Sequence, residues 1–241
     1  MWNRILRGLP EGQLSFVLRA ASDTLPTSLN LKRWRLRVNT KCMLCEHSAP
    51  TIFHILNGCP VALDQDRYSW RHDSVLMRIV KGLKQLLPPV YNLYSDLDGF
   101  RASDNPPATI PPELLVTTAR PDIVIINGSD VLLLELTVPH NSKQSIIEAH
   151  RRKEGKVNYC CLLEDVENIG LNSTLISLEI GSLGHWLSSS CRILTKHLTS
   201  MTKSNLRALL DEAGKIVITA LYQIFLAKHE KHWPKHRTLL V

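Results

Sequence analysis

The sequence has no apolar run approaching the ~20 residues that a bilayer-spanning helix needs. Its opening, Met1-Trp2-Asn3-Arg4, lacks the apolar stretch of a secretion signal, so the expected compartment is nuclear or cytoplasmic, with no membrane partner. Cysteine is sparse: six in 241 residues, too few and too unevenly placed for a disulfide scaffold. In a reducing compartment a tight Cys/His cluster is more naturally a metal site, and Cys160, Cys161 and Cys191, which stand apart from one, read as ordinary buried thiols. No internal repeat is visible. Disorder is excluded as the default by a hydrophobic content of 44%, enough to build a real core.

What is present is an uneven charge. The net charge is +7, divided as thirteen cations against six acids over residues 1–84, one against three over 85–112, six against ten over 113–185, and nine against three over 186–241. Two basic ends flank an acidic middle. That layout suits a protein that grips a polyanion at its edges and gathers carboxylates where cations are wanted; surface charge falling this way by chance is the alternative.

Proline and aspartate mark a boundary. Pro88, Pro89, Pro106, Pro107, Pro111 and Pro112 with Asp96, Asp98 and Asp104 give residues 88–112 a composition that resists helix and sheet. The expected organisation is a helical region with a zinc knuckle and a basic strand over 1–87, a Pro-rich linker over 88–112, an α/β (α+β) core over 113–185, and a helical extension over 186–241. Helical stripes are carried by Leu14, Val17, Leu18 and Ala21, by Val75, Ile79 and Leu83, and by Leu206, Leu209, Leu210, Ala213, Val217, Leu221 and Ile224.

Cys42, Cys45, His54 and Cys59 read as C-x2-C-x8-H-x4-C, three thiolates and one imidazole that can complete a tetrahedral zinc site. A Cys pair two residues apart supplies two ligands from one tight turn, and His54 and Cys59 fit a short helix and its end. With all four positions filled by protein, such a zinc is structural. His47 is a spare ligand in the same loop, and free cysteines in a small core are the alternative. Just ahead, Arg33-Trp34-Arg35-Leu36-Arg37-Val38 alternates strictly, which on a strand sets Arg33, Arg35 and Arg37 on one face as a phosphate-gripping edge or a solvated one. Arg71-His72-Asp73 is a further polar triplet that could bind or merely open a helix.

The most informative stretch runs from Arg120-Pro121-Asp122 to Glu135-Leu136-Thr137-Val138-Pro139. Two β-rich runs flank Gly128-Ser129, the pair expected of a two-residue type II′ hairpin. Closing the turn there pairs Asn127 with Asp130, and counting outward sets Asp122 opposite Glu135. Like charges so placed repel unless a cation lies between them or one is protonated, and Mg²⁺ or Mn²⁺ is the natural occupant for oxygen ligands. A one-residue slip would put them on opposite faces. A helix expected from about Ser142 to Leu163 carries His150 and Lys153 in or beside its apolar stripe, where a polar group needs a partner. Lys153 could assist at a metal-bound phosphate, with Lys156 competing for that role.

These residues resemble the PD-(D/E)xK nuclease superfamily, and more narrowly the restriction-like endonuclease at the carboxyl end of site-specific non-LTR retrotransposon proteins. The resembling segments are Asp23-Thr24-Leu25-Pro26-Thr27 with Asn30-Leu31, the knuckle, Arg67-Tyr68 with Arg71-His72-Asp73, Arg120-Pro121-Asp122, Glu135 to Pro139, Glu148-Ala149-His150 with Arg152-Lys153, and Glu179-Ile180-Gly181-Ser182. The resemblance implies a DNA endonuclease using metal-activated water, with Asp122 and Glu135 as ligands to Mg²⁺ or Mn²⁺, Lys153 or Lys156 assisting, structural zinc, and Arg33, Arg35, Arg37, Arg71 and Arg120 on the nucleic acid, which is DNA or alternatively RNA. A remnant that binds but no longer cuts is the alternative. Two departures stand out: Thr137 follows where a lysine would stand, and Val157 follows Lys156 where a tyrosine is usual. No Tyr-x-Asp-Asp polymerase motif is present, so this chain does not itself copy RNA.

Overall fold

The computed structural model describes residues 2–36, 39–46, 50–95, 97, 121–154, 157–234 and 237–240. Helices α1 (Trp2–Arg7), α2 (Glu11–Ala21) and α3 (Ser28–Arg33) come first, followed by a π-helical turn at His54–Gly58, α4 (Pro60–Asp64) and α5 (Arg67–Leu86). Strands β1 (Asn92–Ser95), β2 (Ile123–Asn127) and β3 (Asp130–Thr137) lead to α6 (Lys143–Glu154), α7 (Val157–Asn168), β4 (Asn172–Glu179), α8 (Ser188–His197) and α9 (Lys203–Leu226). No described helix is long and apolar enough to cross a membrane.

The four strands form one sheet in sequence order, antiparallel from β1 to β3, with β4 parallel to β3. A parallel neighbour demands a crossover, which α6 and α7 supply. β3 is buried on both faces, which is why its sequence reads as a near-continuous apolar run. Alternation then sorts the side chains. Ile123, Ile125, Leu132, Leu134 and Leu136 enter the main core with α5 and α9, whereas Val124, Val131 and Leu133 meet Leu162 and Val166 of α7. Glu135 and Asp122 keep step with this second set, so both belong to the face that the crossover helices cover.

The main core also unites the ends of the chain. α9 lies along α5 so closely that a Cβ at Gly82 would overlap Leu209. The segment after α9 returns along α5: the fully buried Arg67 donates to Ala227 O (2.7 Å) and Glu230 O (2.6 Å), and Trp70 Nε1 donates to Thr238 O (3.1 Å).

Four elements differ from the sequence expectation. Arg33 to Leu36 are not a strand: α3 ends at Arg33, and the amides of Trp34, Arg35 and Leu36 bond back to Asn30 O, Lys32 O and Leu31 O while Arg35 turns left-handed at φ 61°. Open helix carbonyls, satisfied this way, override a short alternating pattern. Arg37 lies outside the described residues. β1 falls inside the stretch read as linker, because its Asn92–Ser95 window is free of proline and pairs with β2. The expected single helix after the hairpin is two, α6 and α7. Cys160 and Cys161 are exposed and Cys191 half-buried, not core thiols, since α7 turns Leu162 and Val166 inward instead.

Candidate functional site

The zinc-type cluster is assembled by local structure. Residues 43–45 form a turn, closed by Glu46 N donating to Cys42 O (2.9 Å), that presents Cys42 and Cys45 together. The π-helical turn, a geometry that recurs at functional sites, brings the buried His54 inward one turn before Cys59. The four ligand atoms lie within 4.8 Å of one another, and Cys45 Sγ is 3.3 Å from His54 Nε2. A tetrahedral zinc with bonds of about 2.3 Å to sulfur and 2.0 Å to nitrogen separates its ligands by roughly 3.5–3.8 Å, within this spread. Burial, against a smaller opposing effect of the Ala62 backbone amide, pushes the Cys59 thiol up to about 12, with the neighbouring cysteines adding to the rise. A buried thiolate is therefore unfavourable there until a cation shares the site. The donor set, its spacing and its burial all fit structural zinc. His47 lies outside the described residues.

Beneath this lobe, α5 presents Tyr68, Arg71 and His72 on one face, three and four residues apart. Tyr68 Oη accepts from Cys59 N (3.1 Å) and donates to Ile55 O (3.1 Å). Burial, slightly offset by the bond with Cys59, raises the Tyr68 hydroxyl to about 12. Arg71 Nη1 donates to Leu56 O (2.9 Å) and Asn57 Oδ1 (3.2 Å), and Nη2 to Val138 O (3.1 Å). That guanidinium is buried and serves the fold, which removes Arg71 from the residues available to phosphate. Burial also lowers it to about 10.

The hairpin adopts the expected register, with Asn127 opposite Asp130 and Ile123 opposite Leu134. Gly128 takes φ 60° and Ser129 has no positive φ, as a type II′ turn requires. One pair further out, Asp122 stands level with Glu135. Their carboxylates then meet separate partners. Asp122 Oδ2 accepts from Leu136 N (2.7 Å) and lies 3.4 Å from His72 Nε2; the nearly buried Glu135 pairs with Lys153 of α6. His72 Nδ1 is also 2.9 Å from Asp73 Oδ1. Burial alone would depress His72, but hydrogen bonds and attraction from Asp122 and Asp73 prevail and raise it to about 10, so it stands as an imidazolium between two carboxylates.

Beyond Glu135 the same face continues into β4, where Ser177 is its register partner and Glu179 is that of Thr137. Glu179 is fully buried and is held by His150 Nδ1 (2.8 Å), Ser190 Oγ (2.6 Å) and Ser177 Oγ. The sequence singled out His72 only within the polar triplet Arg71-His72-Asp73 and Glu179 only within a resembling segment, neither with its partner; the one signal for a partner was His150 on an apolar stripe.

Of the remaining expected residues, those described do not join the site. Arg33 pairs with Asp23 at 3.2 Å at the surface, Arg35 is exposed on the turn after α3, and Lys156 and Arg120 lie outside the described residues. Among the described residues, the four cysteine and histidine ligands are the only set of three or more metal-ligating side chains gathered at such distances.

Residues 2–65 match the family described as zinc-binding in reverse transcriptase. That segment contains all four ligands and ends at the foot of α5, so the carboxylate site lies outside it. No curated protein matches the chain. The amino-terminal quarter is thus similar to a zinc-binding region associated with reverse transcriptases.

Proposed function

We propose that the chain is a nucleic-acid-handling part of a retrotransposon-related protein, in which the zinc lobe braces a site that cuts DNA with the help of a divalent cation. The observation that carries this reading is the β2–β3 register, which brings Asp122 level with Glu135 on one face of the sheet. Two carboxylates there suit a hard ion such as Mg²⁺ or Mn²⁺. Such an ion, when bound, supplies a water acidified for attack on a phosphodiester.

The chain's own groups prepare the site. Among the described residues both contacts of the Asp122 carboxylate use Oδ2, which leaves Oδ1 for a ligand, and Leu136 N fixes the carboxylate's position. Lys153 pairs with Glu135 and sets its side-chain nitrogen at the rim of the site, where it can meet a phosphate oxygen. Zinc at Cys42, Cys45, His54 and Cys59 would cross-link the lobe and take no part in the chemistry.

A second reading, a module that binds nucleic acid without cutting it, is favoured by one fact: His72 and Lys153 already balance the two carboxylates. Nicking of supercoiled plasmid in Mg²⁺ or Mn²⁺ decides between them. The cutting reading expects conversion to nicked circles by the wild type and a loss of at least ~100-fold in Asp122→Ala and Glu135→Ala. Equal nicking by all three, or none by the wild type, overturns it.

A further inference from the structure

We infer that the groove between α8 and the first half of α9 holds the phosphate backbone of duplex DNA. Each helix turns one stripe toward it: Ser188, Cys191, Arg192 and Thr195 from α8, and Lys203, Leu206, Arg207 and Leu210 from α9, at matching three- and four-residue spacings around a groove of about 320 Å³. Leu206 and Leu210 form the buried floor, and the exposed Arg192, Lys203 and Arg207 form the rim.

The rim's charge is unanswered. Arg4 is paired with Asp211, Arg33 with Asp23, Lys153 with Glu135 and Lys215 with Glu212. Among the described residues, Arg192, Lys203 and Arg207 have no such partner. No acid occupies the first turn of α9, so the positive end of that 24-residue helix adds to the same field. Cations on both walls suit a ligand with regularly repeated negative charge. Guanidinium forks and the hydroxyl of Ser188 match phosphate oxygens in particular.

The groove is also joined to the acidic face. α8 offers Arg192 outward while Ser190, two residues earlier, donates to Glu179, which holds His150. One helix thereby braces the sheet with one side and presents cations with the other. The inference deepens the proposed function by naming a surface for its substrate, and rests on that reading only for the choice of duplex DNA.

The test is fluorescence anisotropy of a short labelled duplex, without divalent metal, on the wild type and on the triple variant Arg192→Ala, Lys203→Ala, Arg207→Ala. The three side chains are exposed and unpaired, so the variant should melt as the wild type does. Each phosphate contact removed lowers the slope of log affinity against log salt by ~0.9; three lower it by about 2.7, so the wild type's advantage shrinks roughly 40-fold between about 50 and 200 mM salt. An unchanged affinity and slope overturn the inference, as does a variant that loses heparin but keeps the duplex. Intact binding by Asp122→Ala without nicking by the wild type leaves the groove standing and removes only the cutting reading.

Discussion

Zinc uptake should be steeply dependent on pH, because metal and protons compete for the same sulfurs. Burial holds the Cys59 thiol up at about 12, so at neutral pH it enters as a thiol and gives up a whole proton to the solvent. Cys42 and Cys45 lie against it in the same cluster and must also bind as thiolates. With one proton released from each sulfur, the zinc Kd weakens by up to ~10³ for each unit by which pH falls, about 4 kcal/mol per unit. Competition against a chromophoric chelator between about pH 7 and pH 8 reads that slope, and elemental analysis should find one zinc per chain. Cys59→Ser lowers the slope to about two and weakens binding by at least ~100-fold, a larger loss than that of an outer partner of a ligand. Replacing Cys160, Cys161 or Cys191 leaves both unchanged. A slope at or below one, or wild-type uptake by Cys42→Ser, would refute the assignment.

Two further outcomes follow from α5. His72 has its folded-state value raised from 6.5 to about 10, so its stabilising effect is complete below 6.5 and is lost as pH rises through 10; melting temperature should fall over that window more steeply in the wild type than in His72→Gln, and parallel profiles would contradict the imidazolium between Asp122 and Asp73. Arg71→Met leaves Leu56 O, Asn57 Oδ1 and Val138 O without their donor in a buried setting; after the relief of a buried charge, the expected loss is about 3 kcal/mol by urea unfolding, and a loss under ~1 kcal/mol would show that these bonds do not hold the lobe.

Local chemistry was legible and distant chemistry was not. The four zinc ligands fall within one short span, so their spacing alone describes the site. The hairpin register followed from Gly128, whose left-handed φ suits a type II′ turn and thereby aligns every pair outward from it. By contrast, His72 reaches Leu136 O across 64 residues of sequence, and no periodic pattern encodes that contact. The alternation from Arg33 to Val38 misled because helix-end hydrogen bonding dominates so short a segment. Arg71 was expected on the nucleic acid, yet three acceptors from two parts of the fold surround it.

The clasp on α5 concentrates constraint in very few positions. Tyr68 and Arg71 reach Ile55, Leu56 and Val138 through main-chain carbonyls, and His72 approaches Leu136 at its carbonyl too. Every peptide unit offers that same oxygen whatever its side chain. The partners can therefore change identity over generations with the join intact, while the three residues that reach out to them cannot. Drift is cheap on one side of this contact and expensive on the other.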